Sequence, residues 1–436
     1  MVKKLIIGLI IWGFVLFALN QAWAEISRRP SEVYVKERQL IVKKRLTDGR
    51  LSQPGPYIIK GITWSPATRS PEVGPNPLKP GWSVQYGFFF DWPGRNPSGR
   101  EVFLYWLKSQ YPRYYLIDIP LMKRMNVNTV RVYDDFGTDP LVYTEILDEF
   151  YYNDIMVIMN LVVSKADIES ETYLKIVEWC KNHPAILMWS LGNEWNFEYN
   201  KYWGYQTVAQ GARATNRVAQ KVKAIDPMHP VSSCLGDRFS DLKPSNTVAW
   251  IVENCPDVDL WGINIYRGKS FRNLFIQWQE ASSRPFYISE FGTDSFKTKD
   301  VTQVDAYRAD NCRGGEDQNM QADFVIQLWD EIVKHLSAIN PVSFCLGGTV
   351  YTFNDHLWKV GSYHVGLDGL IDYSDPDEAR SFLDYNSEGF FIPDSHPDNV
   401  ANEEYFGAVD ADRNPKMLFW KLKDYYSKLH LDHQQR

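Results

Sequence analysis

What most constrains this 436-residue chain is a recurring order of elements: short apolar runs that alternate with stretches of helical apolar spacing. The runs are YIIKGITW (57–64), NTVRVYD (128–134), IMVIMNL (155–161), AILMWSL (185–191), PVSSCL (230–235), DLWGINIY (259–266), RPFYISE (284–290) and FCLGGTVYTF (344–353). Helical periodicity marks 139–153, 170–182, 201–226, 271–282 and 319–339, with a last segment near 414–428. The runs are nearly continuous in apolar residues, as expected when both faces of a parallel sheet are covered. Strand and helix alternating eight times predict an α/β fold, a (β/α)8 TIM barrel.

Two segments interrupt the repeat. Residues 65–112 are rich in Pro, Gly and aromatics and include GWSVQYGFFFDWPGRNPSG; residues 354–412 are rich in Asp, Gly and Pro. They follow the first and eighth strands, so both are read as long loops at the mouth of the barrel, where loops carry function. Residues 25–56 read as a short strand or arm leading into the barrel. The expected organisation is a signal peptide (1–24), this N-terminal arm (25–56) and one catalytic barrel domain (57–430).

The signal-peptide reading rests on Lys3-Lys4, an uncharged stretch from Leu5 to Leu19, and Ala22-Trp23-Ala24. The apolar stretch is shorter than the ~20 residues a spanning helix needs, which predicts cleavage and a secreted or periplasmic protein. No stable membrane association is expected unless that segment stays uncleaved. Cleavage would remove two Lys and no acid, making the net charge more negative than −7. That balance argues against nucleic acid or an anionic membrane as a general partner. The five cysteines (180, 234, 255, 312 and 345) are an odd number, and no Cys/His spacing suggests zinc. The acidic run Asp368, Asp372 and Asp375 lacks the spacing of a calcium loop. No metal and no organic cofactor is expected. Aromatics make up 15% of the chain. They either fill a core or line a cleft for a ligand with apolar faces and hydroxyl edges, such as a sugar.

Two strands end in the same way. MWSLGNEWN (188–196) passes from apolar residues to Asn193 and Glu194, and RPFYISE ends at Glu290 before Phe291-Gly292. In a (β/α)8 barrel both strand ends face one mouth, where catalytic groups collect. Two carboxyl groups in one cleft divide into a proton donor and a charged nucleophile. Retaining glycoside hydrolysis needs that division, with the groups about 5–5.5 Å apart.

HPAILMWSLGNEWN together with PFYISEFG resembles the retaining glycoside hydrolases of clan A, in particular the catalytic barrel of glycoside hydrolase family 2 and the β-1,3-glucanosyltransferases of family 72. DIPLMKRMNVNTVRVYD (118–134) is similar to their second barrel unit, DLWGINIY to their sixth strand, and GGTVYTFNDHLWK to their eighth, so the resemblance spans about 57–430. It implies Glu194 as general acid/base and Glu290 as nucleophile. It implies Asn193 as the amide that binds the sugar 2-hydroxyl, Arg131 as the arginine beside the nucleophile, and Tyr266 as the tyrosine that hydrogen-bonds it. Each has a structural alternative: a turn residue for Asn193, an ion pair with Asp134 or Asp135 for Arg131, a rim aromatic for Tyr266. Trp358 and Trp195 are candidates to stack on a sugar ring or simply to pack. Asp134 and Asp135 either bind substrate hydroxyls or form a solvated rim.

The mechanism implied is double displacement through a glycosyl-enzyme on a carbohydrate substrate. Water as acceptor makes the chain a β-glycoside hydrolase; a sugar hydroxyl makes it a transglycosylase. A non-catalytic extracellular sugar-binding barrel is the remaining alternative.

Overall fold

The computed structural model describes residues 29–67, 74–75, 83–84, 97–162, 164–197, 201–301, 303–305, 308–310, 313–356 and 388–429. The proposed signal peptide, Trp358, Cys312 and the acidic run 368–375 lie outside them.

Eight parallel strands close a barrel: β1 (Ile59–Trp64), β2 (Thr129–Val132), β3 (Met156–Asn160), β4 (Ile186–Asn193), β5 (Val231–Gly236), β6 (Leu260–Asn264), β7 (Phe286–Phe291) and β8 (Cys345–Val350). Each pairs with its sequence neighbours, and β8 closes on β1 with Gly347 opposite Ile59. The strands are buried along almost their whole length, which is why they read as unbroken apolar runs. Each is followed by a helix: α1 (Pro97–Arg124), α2 (Pro140–Tyr152), α3 (Thr172–Cys180), α4 (Val208–Ile225), α5 (Val248–Glu253), α6 (Leu274–Ala281), α7 (Gln318–Lys334) and α8 (Met417–Lys428). Several are capped as their sequences dictate. The Asp139, Thr207 and Asp317 side chains accept from backbone N–H groups in the first turns of α2, α4 and α7.

The segment 65–112 is not loop throughout, because α1 begins at Pro97 and runs on to Arg124 through Pro112 and Pro120. A proline removes one intrahelical hydrogen bond, but burial of Tyr111, Ile119 and Met122 against the barrel holds the helix together. The stretch 201–226 is split: Lys201–Gly204 forms one turn and α4 starts afresh after the Thr207 cap.

The arm is a three-stranded antiparallel sheet, Glu32–Lys36, Gln39–Lys43 and Gly55–Pro56. Its Val33, Leu40 and Val42 pack with Ile59, Leu187, Leu260 and Leu346 from the beginnings of the barrel strands, closing the barrel's N-terminal end. The opposite end is left for function.

A further excursion, not evident from the sequence, follows β7. Phe296–Asp300 pairs with Arg313–Glu316, and Gln303–Asp305 pairs with Arg308–Asp310. The second hairpin continues into Glu388–Phe391 and Val400–Ala401, so the excursions after β7 and β8 share one four-stranded sheet. No helix among the described residues is long and apolar enough to cross a membrane.

Candidate active site

β4 and β7 both end irregularly. The β4–β5 ladder shifts register between Ser233 and Cys234, bringing Cys234 opposite Asn193; the β6–β7 ladder shifts between Ile263 and Asn264, bringing Asn264 opposite Glu290. Such shifts at a strand end re-aim the side chains beyond them. After β4 the backbone turns sharply, with φ of +74° at Gly192 and +47° at Glu194. Only glycine fits at 192: a Cβ there would lie 2.2 Å from Cζ2 of Trp203. Glu194 is anchored by its own N–H, which donates to the Cys234 carbonyl at 3.0 Å. A left-handed glutamate at a strand end costs about 1–3 kcal/mol and marks a position set by its surroundings.

Glu290 is only 7% exposed, and donors surround it. Arg131 Nη1 lies 2.9 Å from its Oε1, Tyr133 Oη donates to the same oxygen at 2.7 Å, and Tyr266 Oη donates to Oε2 at 3.2 Å. Arg131 also donates to the Ser289 carbonyl at 3.0 Å and, through Nη2, to Asn193 Oδ1 at 2.6 Å. The same amide oxygen accepts from Asn264 Nδ2 at 3.0 Å, so its orientation is determined and the NH2 group faces the other way. Asn264 Oδ1 in turn accepts from Ser289 Oγ at 2.7 Å. The ends of β2, β4, β6 and β7 thus form one hydrogen-bonded layer. Burial, and then the charge of Glu290, raise the Tyr133 and Tyr266 hydroxyls well above their ordinary value, so both remain donors. The charge of Glu194 adds to the same effect on Tyr266.

Arg131, Asn193, Tyr266 and Glu290 are therefore brought into direct contact, and Glu194 follows Asn193 at the same rim. Arg131 pairs with Glu290 instead of with the neighbouring aspartates. Asp135 is held by Lys108 at 2.6 Å. Asp134 is buried, not a solvated rim group, and burial lifts its carboxyl to about 7, against the pull of Lys108. Trp195 offers no face to a sugar. It is fully buried, donates Nε1–H to Ser233 Oγ at 3.0 Å and packs on Trp203 at 5.2 Å between centroids. It supports the Glu194 turn from beneath, because the left-handed bend sends the next side chain into the wall.

Sequence reasoning missed Tyr133, Asn264 and the aromatic wall formed by Tyr351, Phe406 and His396. Tyr133 was within reach: it lies two residues past Arg131, and strand alternation puts both on one side. Tyr351 lies 6.3 Å from Tyr133 and 5.3 Å from Phe406 between ring centroids. Among the described residues no cluster of three or more His, Cys, Asp or Glu is arranged to hold a metal ion.

Comparison with known proteins bears on this arrangement. The family model for the glycosyl hydrolases family 2 TIM barrel domain matches residues 163–386, more than half of the chain. Among solved structures, a family 2 β-galacturonidase from Eisenbergiella tayi bound to galacturonate aligns over 92% of this chain and 55% of its own, at 15% identity and a TM-score of 0.48. A β-glucuronidase from Faecalibacterium prausnitzii aligns over 92% and 52%, at 16% identity and a TM-score of 0.49. A β-D-glucuronidase for Dictyoglomus thermophilum aligns over 92% and 54%, at 16% identity and a TM-score of 0.47. The chain spans about half the length of these proteins.

Proposed function

The chain belongs to glycosyl hydrolase family 2 through its TIM barrel domain, and from that premise we propose that it is a retaining β-glycoside hydrolase acting on an oligo- or polysaccharide. The observation that carries the reading is the buried Glu290 carboxylate, met by Arg131, Tyr133 and Tyr266 on its two oxygens. Donors on both oxygens fix the orientation of the carboxylate, and a nucleophile aimed at one carbon requires such positioning.

In the proposed reaction Glu290 attacks the anomeric carbon, forming a C–O bond as the glycosidic C–O bond breaks. Glu194 gives its proton to the departing oxygen. In the second half Glu194 takes a proton from water, whose oxygen displaces the Glu290 carboxylate and releases the sugar with its original configuration. Asn193, oriented by Arg131 and Asn264, would present its NH2 to a substrate hydroxyl. No step calls on a metal or an organic cofactor. Residues 1–24 are proposed to direct export and to be removed.

The test is stereochemical. The purified protein is incubated with 4-nitrophenyl β-glycosides of glucose, galactose, mannose and glucuronic acid, and the first anomer released is followed by proton NMR. Release of the β anomer first supports the reading; the α anomer first, or no turnover of any glycoside or β-glucan, overturns it.

A second reading, β-glucanosyl transfer as in family 72, shares the chemistry up to the glycosyl-enzyme. The aromatic stretch GWSVQYGFFFDW (81–92) has rings that suit an acceptor sugar and equally a longer donor. Products longer than the starting oligosaccharide would establish transfer.

A further inference from the structure

The shared sheet formed by the excursions after β7 and β8 carries a histidine back over the barrel mouth. His396 is 5% exposed. Its ring stacks on Tyr266 at 5.9 Å between centroids and an interplanar angle of 29°. Its Nδ1 lies 2.9 Å from the hydroxyl of Thr293, three residues past Glu290. Phe406 meets the edges of both rings, at 5.6 Å from His396 and 6.3 Å from Tyr266.

Tyr266 needs such support. It stands two residues beyond the last ladder residue of β6, and the last sheet contact before it is the Ile265 N–H donating to the Glu290 carbonyl at 2.9 Å. The turn that follows leans on the same segment. Gly268 has φ +86° and approaches so closely that a Cβ would lie 2.4 Å from the Asp394 carbonyl oxygen, which also accepts from Arg272 Nη2 at 3.3 Å. The segment is itself anchored: Thr298 N–H donates to Asp398 at 2.6 Å, and Asn402 N–H to Asp294 at 3.2 Å.

We infer that His396 is a positioning residue for the reaction at Glu290: held by Thr293, its ring packs against Tyr266 in an offset stack and keeps the Tyr266 hydroxyl on the carboxylate. The groups that face the imidazole are Tyr266 from the end of β6, Thr293 from the end of β7 and Phe406 from the returning segment, none of them charged. Burial pushes the imidazole down to about 3, so the ring stays neutral under working conditions and adds no charge beside the tyrosine. Through His396 the segment that follows β8 thereby acts on the nucleophile by way of Tyr266.

The inference rests on Glu290 being the nucleophile, and the experiment separates the two. Wild type, His396→Ala, His396→Phe and Thr293→Val are reacted with 2,4-dinitrophenyl 2-deoxy-2-fluoro-β-glycosides of glucose, galactose, mannose and glucuronic acid. The adduct is mapped by peptide mass, its rate of formation is followed at increasing reagent concentration, and thermal midpoints are recorded. In wild type the adduct is expected on Glu290. His396→Ala should slow its formation at saturating reagent on the order of tenfold, the effect of loosening one hydrogen bond to a charged group. The half-saturating concentration should change by less than about twofold, because the loosened hydrogen bond is one to Glu290 and not to the sugar. His396→Phe keeps the stacked ring and should retain most of the rate; Thr293→Val should fall between. A wild-type rate in His396→Ala would overturn the inference. So would equal losses in His396→Ala and His396→Phe with a lowered midpoint, which would mean a role in folding alone. An adduct on another residue, or none from any reagent, removes the nucleophile assignment and the inference with it.

Discussion

Arg131 on β2 and Glu290 on β7 meet at 2.9 Å, although two strands, β8 and β1, stand between theirs in the barrel wall. The contact is made through the interior, where both are almost fully buried, at 1% and 7% exposure. A buried ion pair is stabilising only while both partners are present.

Arg131→Met should therefore lower both stability and turnover. It leaves Glu290 without its cation and Asn193 without one of its two donors, at a cost of about 3–5 kcal/mol. Arg131→Lys keeps the charge but cannot reach Glu290, Ser289 and Asn193 together, and should fall between. Urea denaturation alongside kcat/KM for the best aryl glycoside checks both.

Tyr133→Phe removes the donor at 2.7 Å from Glu290 Oε1 and the acceptor at 3.4 Å from Arg131 Nη1, and keeps the ring. A hydrogen bond to a charged group is worth about 1.5–3 kcal/mol, so kcat/KM should fall by roughly 10- to 100-fold, and the thermal midpoint should fall less than in Arg131→Met because Arg131 and Tyr266 still meet the carboxylate. Unchanged kinetics would show that this hydroxyl does not serve the carboxylate during the reaction.

Glu194→Ala should lose about 10²- to 10⁴-fold on substrates whose leaving group needs a proton, and far less in the first step with a dinitrophenyl glycoside. Added azide should restore turnover and yield the β-glycosyl azide, identified by NMR. An α product would contradict double displacement.

Gly192→Ala should destabilise the Glu194 turn. A methyl group would lie 2.2 Å from the Trp203 ring, at a φ of +74° that alanine seldom adopts. A loss of about 1–3 kcal/mol is expected. The double variant with Trp203→Ala should recover only the steric part, which thermal unfolding of the three variants would reveal.

Asp134 makes stability depend on pH. Burial raises its carboxyl from 3.8 to about 7, so the folded protein holds this proton more tightly than the unfolded chain. Its contribution is complete below the unfolded value and is lost as pH rises through about 7. Asp134→Asn, which resembles the protonated acid, should be more stable than wild type above that value by at most about 4 kcal/mol, with the two converging near 3.8. Denaturation midpoints across the pH range would show the convergence, and a constant offset would count against the assignment.

The barrel was legible because its signals are local. A strand buried on both faces must be apolar throughout, so all eight runs announce themselves, and the predicted boundaries differ from the observed ones by a few residues. Asn193, Glu194 and Glu290 stood out for the same reason: polar groups that end an apolar strand are visible without knowing what they face. Tyr133 sat in plain view on the Arg131 side of its strand, yet aromatic residues are so frequent here that alternation alone did not single it out.

By itself the sequence determined the order of strands and helices, and hence which strand ends share the barrel mouth, since burial and periodicity act between near neighbours in the chain. Only the tertiary structure decided that Arg131 pairs across the barrel with Glu290, that Trp195 turns into the wall, and that His396 returns to lie on Tyr266, 130 residues earlier in the chain. Those outcomes depend on ladder shifts at strand ends and on two excursions sharing one sheet. Such contacts are set by whole-barrel packing, which no short stretch of sequence encodes.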